Sequence, residues 1–126
     1  MRQWLGITLL AVIFLAIINI VSFVRRKQDE NQFRTRLMAF RSTVKPGTRR
    51  AEVEDYLTQL GMPYARSCCE PSVFSDRSKI GQLPPKWTCR TWNVYLDFKF
   101  QNREAFVASG DDRLTKIDLY ENGECL

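Results

Sequence analysis

Twenty-one consecutive uncharged residues, Trp4 to Val24 ("WLGITLLAVIFLAIINIVSFV"), constrain this chain more than any other feature. As a helix the run rises about 31 Å, the thickness of a bilayer's hydrocarbon layer. Thr8, Asn19 and Ser22 are its only polar interruptions. Trp4 stands at one end and Arg25, Arg26 and Lys27 at the other, residue types that favour the interface. A cleaved signal peptide has a shorter apolar core and a small-x-small cleavage site, which "INIVSFV" lacks. A lipid-attached leader needs a cysteine just after the run, and none is there. The run therefore predicts a single-pass signal anchor over residues 1–27, with the lipid bilayer as a partner and Arg25, Arg26 and Lys27 at the membrane surface. Residues 28–126 are left for one small domain, of a size at which covalent staples help.

Two signals disagree about which side of the membrane that domain occupies. The basic trio outnumbers Arg2 and the amino terminus, which favours the cytoplasm. Four cysteines suit an oxidising compartment, and a short basic head before one long apolar run is the layout of an ordinary signal anchor. The expectation is an inner (cytoplasmic) membrane protein with its C-terminal domain in the periplasm or otherwise extracytoplasmic. The alternative is a cytoplasm-facing anchored adaptor. Residues 25–50 hold nine Lys/Arg against two Asp/Glu, whereas residues 51–126 hold nine against twelve. The excess positive charge thus lies beside the membrane, so it implies headgroup contact rather than nucleic-acid binding. A solvated helix face explains Arg34, Arg36 and Arg41 equally well.

Beyond the run, Phe33, Leu37, Phe40 and Val44 recur at helical spacing, with Asp29 and Glu30 at the start and Arg41 near the end. Pro46 and Gly47 predict a turn, and Thr48 an N-cap. A second helix, "RRAEVEDYLTQL", buries Val53, Tyr56, Leu57 and Leu60 and stops at Gly61. The period then becomes two. "YARSCCE" reads as a short strand, residues 71–85 as a Pro- and Ser-containing loop, and "TWNVYLDFKFQ" as an alternating strand with Trp92, Val94, Leu96, Phe98 and Phe100 on one face. "AFVAS" (Ala105–Ser109) and "RLTKIDLY" supply two more strands, and "ENGECL" a tail tied by Cys125. The predicted fold is α+β: a transmembrane helix, then two helices packed on an antiparallel three- to four-stranded meander sheet.

The chain has no histidine, which excludes histidine-based triads, histidine-bearing zinc sites and histidine acid–base chemistry within one chain. Its four cysteines, Cys68, Cys69, Cys89 and Cys125, show neither C-x-x-C nor paired-knuckle spacing. Adjacent residues of a strand point to opposite faces, so Cys68 and Cys69 each need a separate partner. Two pairings meet that condition: Cys69–Cys89 with Cys68–Cys125, or Cys68–Cys89 with Cys69–Cys125. Closing the loop to Cys89 is worth about 3 kcal/mol in the chain-entropy model. Free or soft-metal-binding thiols at Cys68 and Cys69 are the alternative. Asp97 with Lys99 reads as a salt-bridging strand face rather than a functional pair. Asp111–Asp112 reads as a turn rather than a cation site. Trp87, Trp92 and Tyr95 read as packing residues rather than a binding surface. No glycine-rich phosphate loop is present.

The stretch "VKPGTRRAEVEDYLTQLGMPY", through Gly47, Thr48, Ala51, Glu52, Val53, Leu57, Leu60, Gly61 and Pro63, resembles the helix entry of the SmpA/OmlA (BamE-like) domain. The resemblance spans about Phe33 to Tyr120. It implies a helix followed by an antiparallel sheet, and an extracytoplasmic address. Family members in outer-membrane assembly are lipoproteins, whereas this chain carries a spanning-length run and four cysteines. The combined expectation is a non-enzymatic cell-envelope interaction or scaffold module, without cofactor or metal, that meets an envelope protein partner. The competing expectation is a thiol redox or soft-metal protein using Cys68 and Cys69.

Overall fold

The computed structural model describes residues 2–70, 73–85, 89–101 and 107–125, and the side chains of residues 2–5, 67–70 and 73 lie outside that description. Two helices and four strands follow one another as α1 (Arg2–Thr43), α2 (Arg50–Gln59), β1 (Tyr64–Glu70), β2 (Val73–Leu83), β3 (Cys89–Gln101) and β4 (Arg113–Cys125). The strands form one antiparallel meander in the order β1-β2-β3-β4, with helices on one face, so the fold is α+β.

α1 is a single helix of 42 residues, about 63 Å long. The apolar run and the stripe from Phe33 onward, read as two helices in the sequence, are one element. No proline or glycine separates Val24 from Phe33, and Arg26 and Lys27 both pair with Glu30 across single turns, at 3.2 Å and 3.4 Å. Within α1 one segment is long and apolar enough to cross a membrane, and none of it is buried against the rest of the chain.

The far end of α1 enters the core. Val44 joins Val53, Leu57, Leu96, Phe98, Phe100, Leu114 and Ile117, with Leu37 and Phe40 packed at its margin. Phe40 meets Tyr56 and Phe98 edge-on at about 6 Å, a geometry aromatic quadrupoles favour. Phe33 packs lower on the sheet with Leu83 and Val94. Gly81 makes room for it: a Cβ there would stand 2.6 Å from the Phe33 ring.

Between the helices the chain turns at Gly47, whose φ of +90° suits glycine. Thr48 does not cap α2. Its hydroxyl donates to the Lys45 carbonyl at 2.7 Å, and Arg49 occupies the N-cap position with extended backbone and no side-chain cap bond. Residues 47–49 instead run beside β4, with Gly47 N–H donating to Leu114 O and Leu114 N–H to Thr48 O. α2 buries Val53 and Leu57 fully, but Leu60 is 49% exposed because it lies past the last turn. Gly61, at φ +66°, ends the helix as expected.

Three assignments change. Most of the stretch read as a loop over 71–85 is β2, paired with β3 from Val73 to Leu83 with a register shift at Ile80. Serines and Gly81 weakened its strand signature, yet pairing on both sides holds the segment extended. The strand expected at 105–109 is not formed over Val107–Ser109, which is irregular; Ala105 and Phe106 lie outside the described residues. The segment expected as a tail is the end of β4, which pairs with β3 as far as Cys125.

Candidate functional site

The structure brings together three features that bear on function: a disulfide at one end of the sheet, a buried ion cluster beneath α2, and a polar sheet face that the helices leave uncovered.

Cys89 and Cys125 are register partners on β3 and β4 and form a disulfide across a sequence separation of 36. Both expected pairings are thereby overturned, since each gave Cys89 and Cys125 to different partners. The reason is the added strand. With β2 inserted between β1 and β3, the cysteines of β1 sit two strands away from Cys89, and β4 is its neighbour. Cys68 and Cys69 lie in β1 where its register shifts between Ser67 and Glu70; their side chains lie outside the described residues.

The ion cluster centres on Arg50 at the first turn of α2, fully buried. Its guanidinium forks onto Asp76 of β2, with Nε donating to Oδ2 at 3.1 Å and Nη2 to Oδ1. Nη1 donates to Asp112 Oδ2 at 3.3 Å, and Glu54 one turn along stands 3.3 Å from Nε. Arg66 of β1 closes the outer side with two bonds to Glu54, at 2.9 Å and 3.0 Å. Arg50 also stacks 5.1 Å from the Phe100 ring. Asp112 accepts a second bond from the Ser109 N–H at 3.0 Å, so it orders its turn while pairing with Arg50. Asp111 is exposed and 3.9 Å from Arg49. The Asp111–Asp112 pair is thus a turn, as expected, with an added tie into the core.

Burial pushes the Asp76 carboxyl up to about 6, against the pull of Arg50 and with help from the neighbouring Glu54. Burial acts the same way on Glu54, but hydrogen bonds from Arg66 and Asp76 and the charges of Arg66 and Arg50 hold its pKa below the ordinary carboxylate value. Of these two neighbouring carboxyls, Asp76 is the better proton holder. Arg50, Glu54 and Asp76 were not singled out in the sequence. One signal was there: Arg50 lies three residues before Val53 and seven before Leu57, on the buried stripe of α2, where an arginine needs partners.

The opposite sheet face is built from cross-strand rows. Arg77, Asp97 and Asp118 stand side by side on β2, β3 and β4; so do Lys79, Tyr95 and Tyr120, then Ser75, Lys99 and Lys116. Arg77 donates to Asp97 at 3.1 Å and lies 3.8 Å from the Tyr120 ring centroid. Tyr95 and Tyr120 are 6.1 Å apart. Lys99 reaches both Asp97 (3.9 Å) and Asp118 (3.6 Å), and Lys116 reaches Asp118 (2.9 Å). Asp97 and Lys99 therefore belong to a salt-bridged face, as expected, although Asp97 itself is buried. Tyr95 lies on this face, Trp92 packs at the margin of the Phe33 cluster, and Trp87 is outside the described residues. At the free edge of β4, Arg41 donates to the Ile117 carbonyl at 2.9 Å and pairs with Asp118, covering a strand edge that would otherwise recruit another strand.

No family model, curated protein or solved structure matches this chain, so its function is argued from its own geometry.

Proposed function

We propose that this chain is a single-pass membrane protein whose α+β domain is a non-enzymatic interaction module of the cell envelope, held outside the cytoplasm. One observation carries the reading: α1 begins as an apolar rod that is not buried against any other described part of the chain, and its far end builds the domain's core. An unburied apolar rod of this length needs lipid around it. The Cys89–Cys125 disulfide supports the oxidising side of the membrane, and so does the resemblance to the SmpA/OmlA (BamE-like) domain. The surface offered to an envelope protein is the polar sheet face, where Arg77, Lys79, Tyr95 and Tyr120 combine charge with aromatic area. The buried acids of the Arg50 cluster serve the domain's architecture, being satisfied by Arg50, Arg66 and the Ser109 N–H.

A photocrosslinking residue at Lys79, in cells, is expected to capture an envelope protein that the same residue at Asp55 on α2 does not. Capture at neither site contradicts the module reading. An alkaline-phosphatase fusion at the C-terminus is expected to be active, and an inactive fusion places the domain in the cytoplasm, as the charges at Arg25, Arg26 and Lys27 would prefer. A second reading, thiol redox or soft-metal binding at Cys68 and Cys69, gains one observation. With Cys89 and Cys125 joined, these two are each other's remaining partners within the chain. Thiol titration of the purified chain, with and without arsenite, tests it.

A further inference from the structure

The path of α1 fixes which end of the domain faces the lipid. Every side chain from Gly6 to Arg25 is exposed, and cover begins at Arg26, two residues past the apolar run. It continues through Asp29, Glu30, Phe33, Leu37, Phe40 and Val44, all on one helical face. Partial cover thus begins within a turn of the apolar run, and the first residue of α1 shown to meet the sheet is Phe33, nine residues past Val24.

The heights along helix and strands agree. Phe33 touches the sheet at Gly81 and Val94, which are register partners, and Arg36 donates to the Ile80 carbonyl. Arg41 bonds at Ile117 and Val44 packs with Leu114 and Phe100, toward the other end of the strands. α1 and β3 thus run in the same sense, and the Cys89–Cys125 end points back toward the apolar run. From Val94 to Cys89 the strand covers about 17 Å. From Phe33 to Val24 the helix covers about 14 Å. The disulfide-tied end of the sheet, with exposed Pro85 and Arg90, is level with the end of the apolar run.

Resting on the membrane reading above, we propose that this sheet end is a second membrane contact, set in the phosphate headgroup layer of the bilayer that α1 spans. Arg90 joins Arg25 and Lys27 as a phosphate-binding cation, each drawn to anionic headgroups. The disulfide keeps the last β3–β4 pair closed where lipid would otherwise compete for strand ends. Two contacts, helix and sheet end, hold the sheet upright, so its polar face looks sideways along the membrane.

The test uses the full chain in nanodiscs with Cys68 and Cys69 changed to serine and a bimane label at Pro85→Cys, Asp111→Cys or Ile13→Cys. Asp111 lies at the opposite end of the sheet, about 40 Å along the strands. A headgroup nitroxide is expected to quench the Pro85 label several-fold more than the Asp111 label, and an acyl-chain nitroxide to quench the Ile13 label. Equal quenching at Pro85 and Asp111 with Ile13 quenched overturns the second contact alone. An unquenched Ile13 label overturns the membrane reading and this inference with it.

Discussion

Replacing Arg50 with methionine tests whether the buried cluster is what joins α2 to the sheet. The substitution keeps apolar bulk and removes a guanidinium that holds Asp76 twice, Asp112 once and Glu54 at 3.3 Å. Asp76 has no access to water, so its charge would be left without a partner, a loss of about 3–5 kcal/mol. For a domain of this size that lowers the melting temperature by roughly 15–30 °C. The penalty has a pH signature. Asp76 holds its proton up to about pH 6 even against the pull of Arg50. Without Arg50 its carboxyl stays neutral to a higher pH still, so the loss is smaller at pH 5, where the parent has already given up most of the ion pair. Replacing Asp76 with leucine in the same chain removes the stranded group and is expected to recover at least half of the loss. Thermal unfolding of the full chain in detergent, followed by near-UV circular dichroism at pH 7.5 and pH 5, measures all of these. A single variant within about 1 kcal/mol of the parent at pH 7.5 would refute the reasoning, because a buried unpaired carboxylate cannot be that cheap.

Cys89→Ser is expected to cost about 4 kcal/mol in the chain-entropy model for a separation of 36 residues, read as a denaturant midpoint shift that a reducing agent reproduces in the parent. Gly81→Ala places a methyl 2.6 Å from the Phe33 ring and is expected to cost about 1–3 kcal/mol, with partial recovery in Gly81→Ala/Phe33→Leu; a neutral Gly81→Ala would mean that α1 does not press on β2 there. The Asp76 carboxyl is raised in the folded state, so its stabilising protonation is complete below its unfolded value of 3.8 and is lost as pH rises to about 6. Glu54, held low, contributes above 4.5 and loses that contribution as pH falls below it. Between about pH 4.5 and 6 stability therefore declines with pH, by no more than one proton's worth of about 1.4 kcal/mol per unit, and Asp76→Asn flattens that slope.

The helices and the alternating strand of this fold can be read from side-chain period. Val53 and Leu57, and Leu96, Phe98 and Phe100, fall on the faces their spacing predicts, because burial of one face sets the period. β2 is hidden for the opposite reason. Its inward side chains include Asp76 and Ser78 as well as Phe74 and Ile80, so a strand made inward-facing by an ion cluster lacks the apolar alternation. Missing β2 misplaced the disulfide, since Cys89 pairs with whichever strand lies beside β3. The continuity of α1 was masked by charge. Arg25 to Glu30 looks like a break between an apolar run and an amphipathic helix, yet Arg26, Lys27 and Glu30 are helix-compatible pairs on one surface. The candidate site was half legible. The polar alternation of Asn93, Tyr95, Asp97 and Lys99 marked the open face, while the Arg50 cluster needs partners 26 and 62 residues away.

The central claim is that α1 is one rigid rod from the apolar run into the sheet. Spin labels at Ile13 and Ala39, both exposed, in a Cys68→Ser/Cys69→Ser background, report that directly in nanodiscs. A single narrow distance near 39 Å is expected from the helical rise. A broad distribution, or a mean well short of that value, would show a joint between the span and the domain and contradict the account.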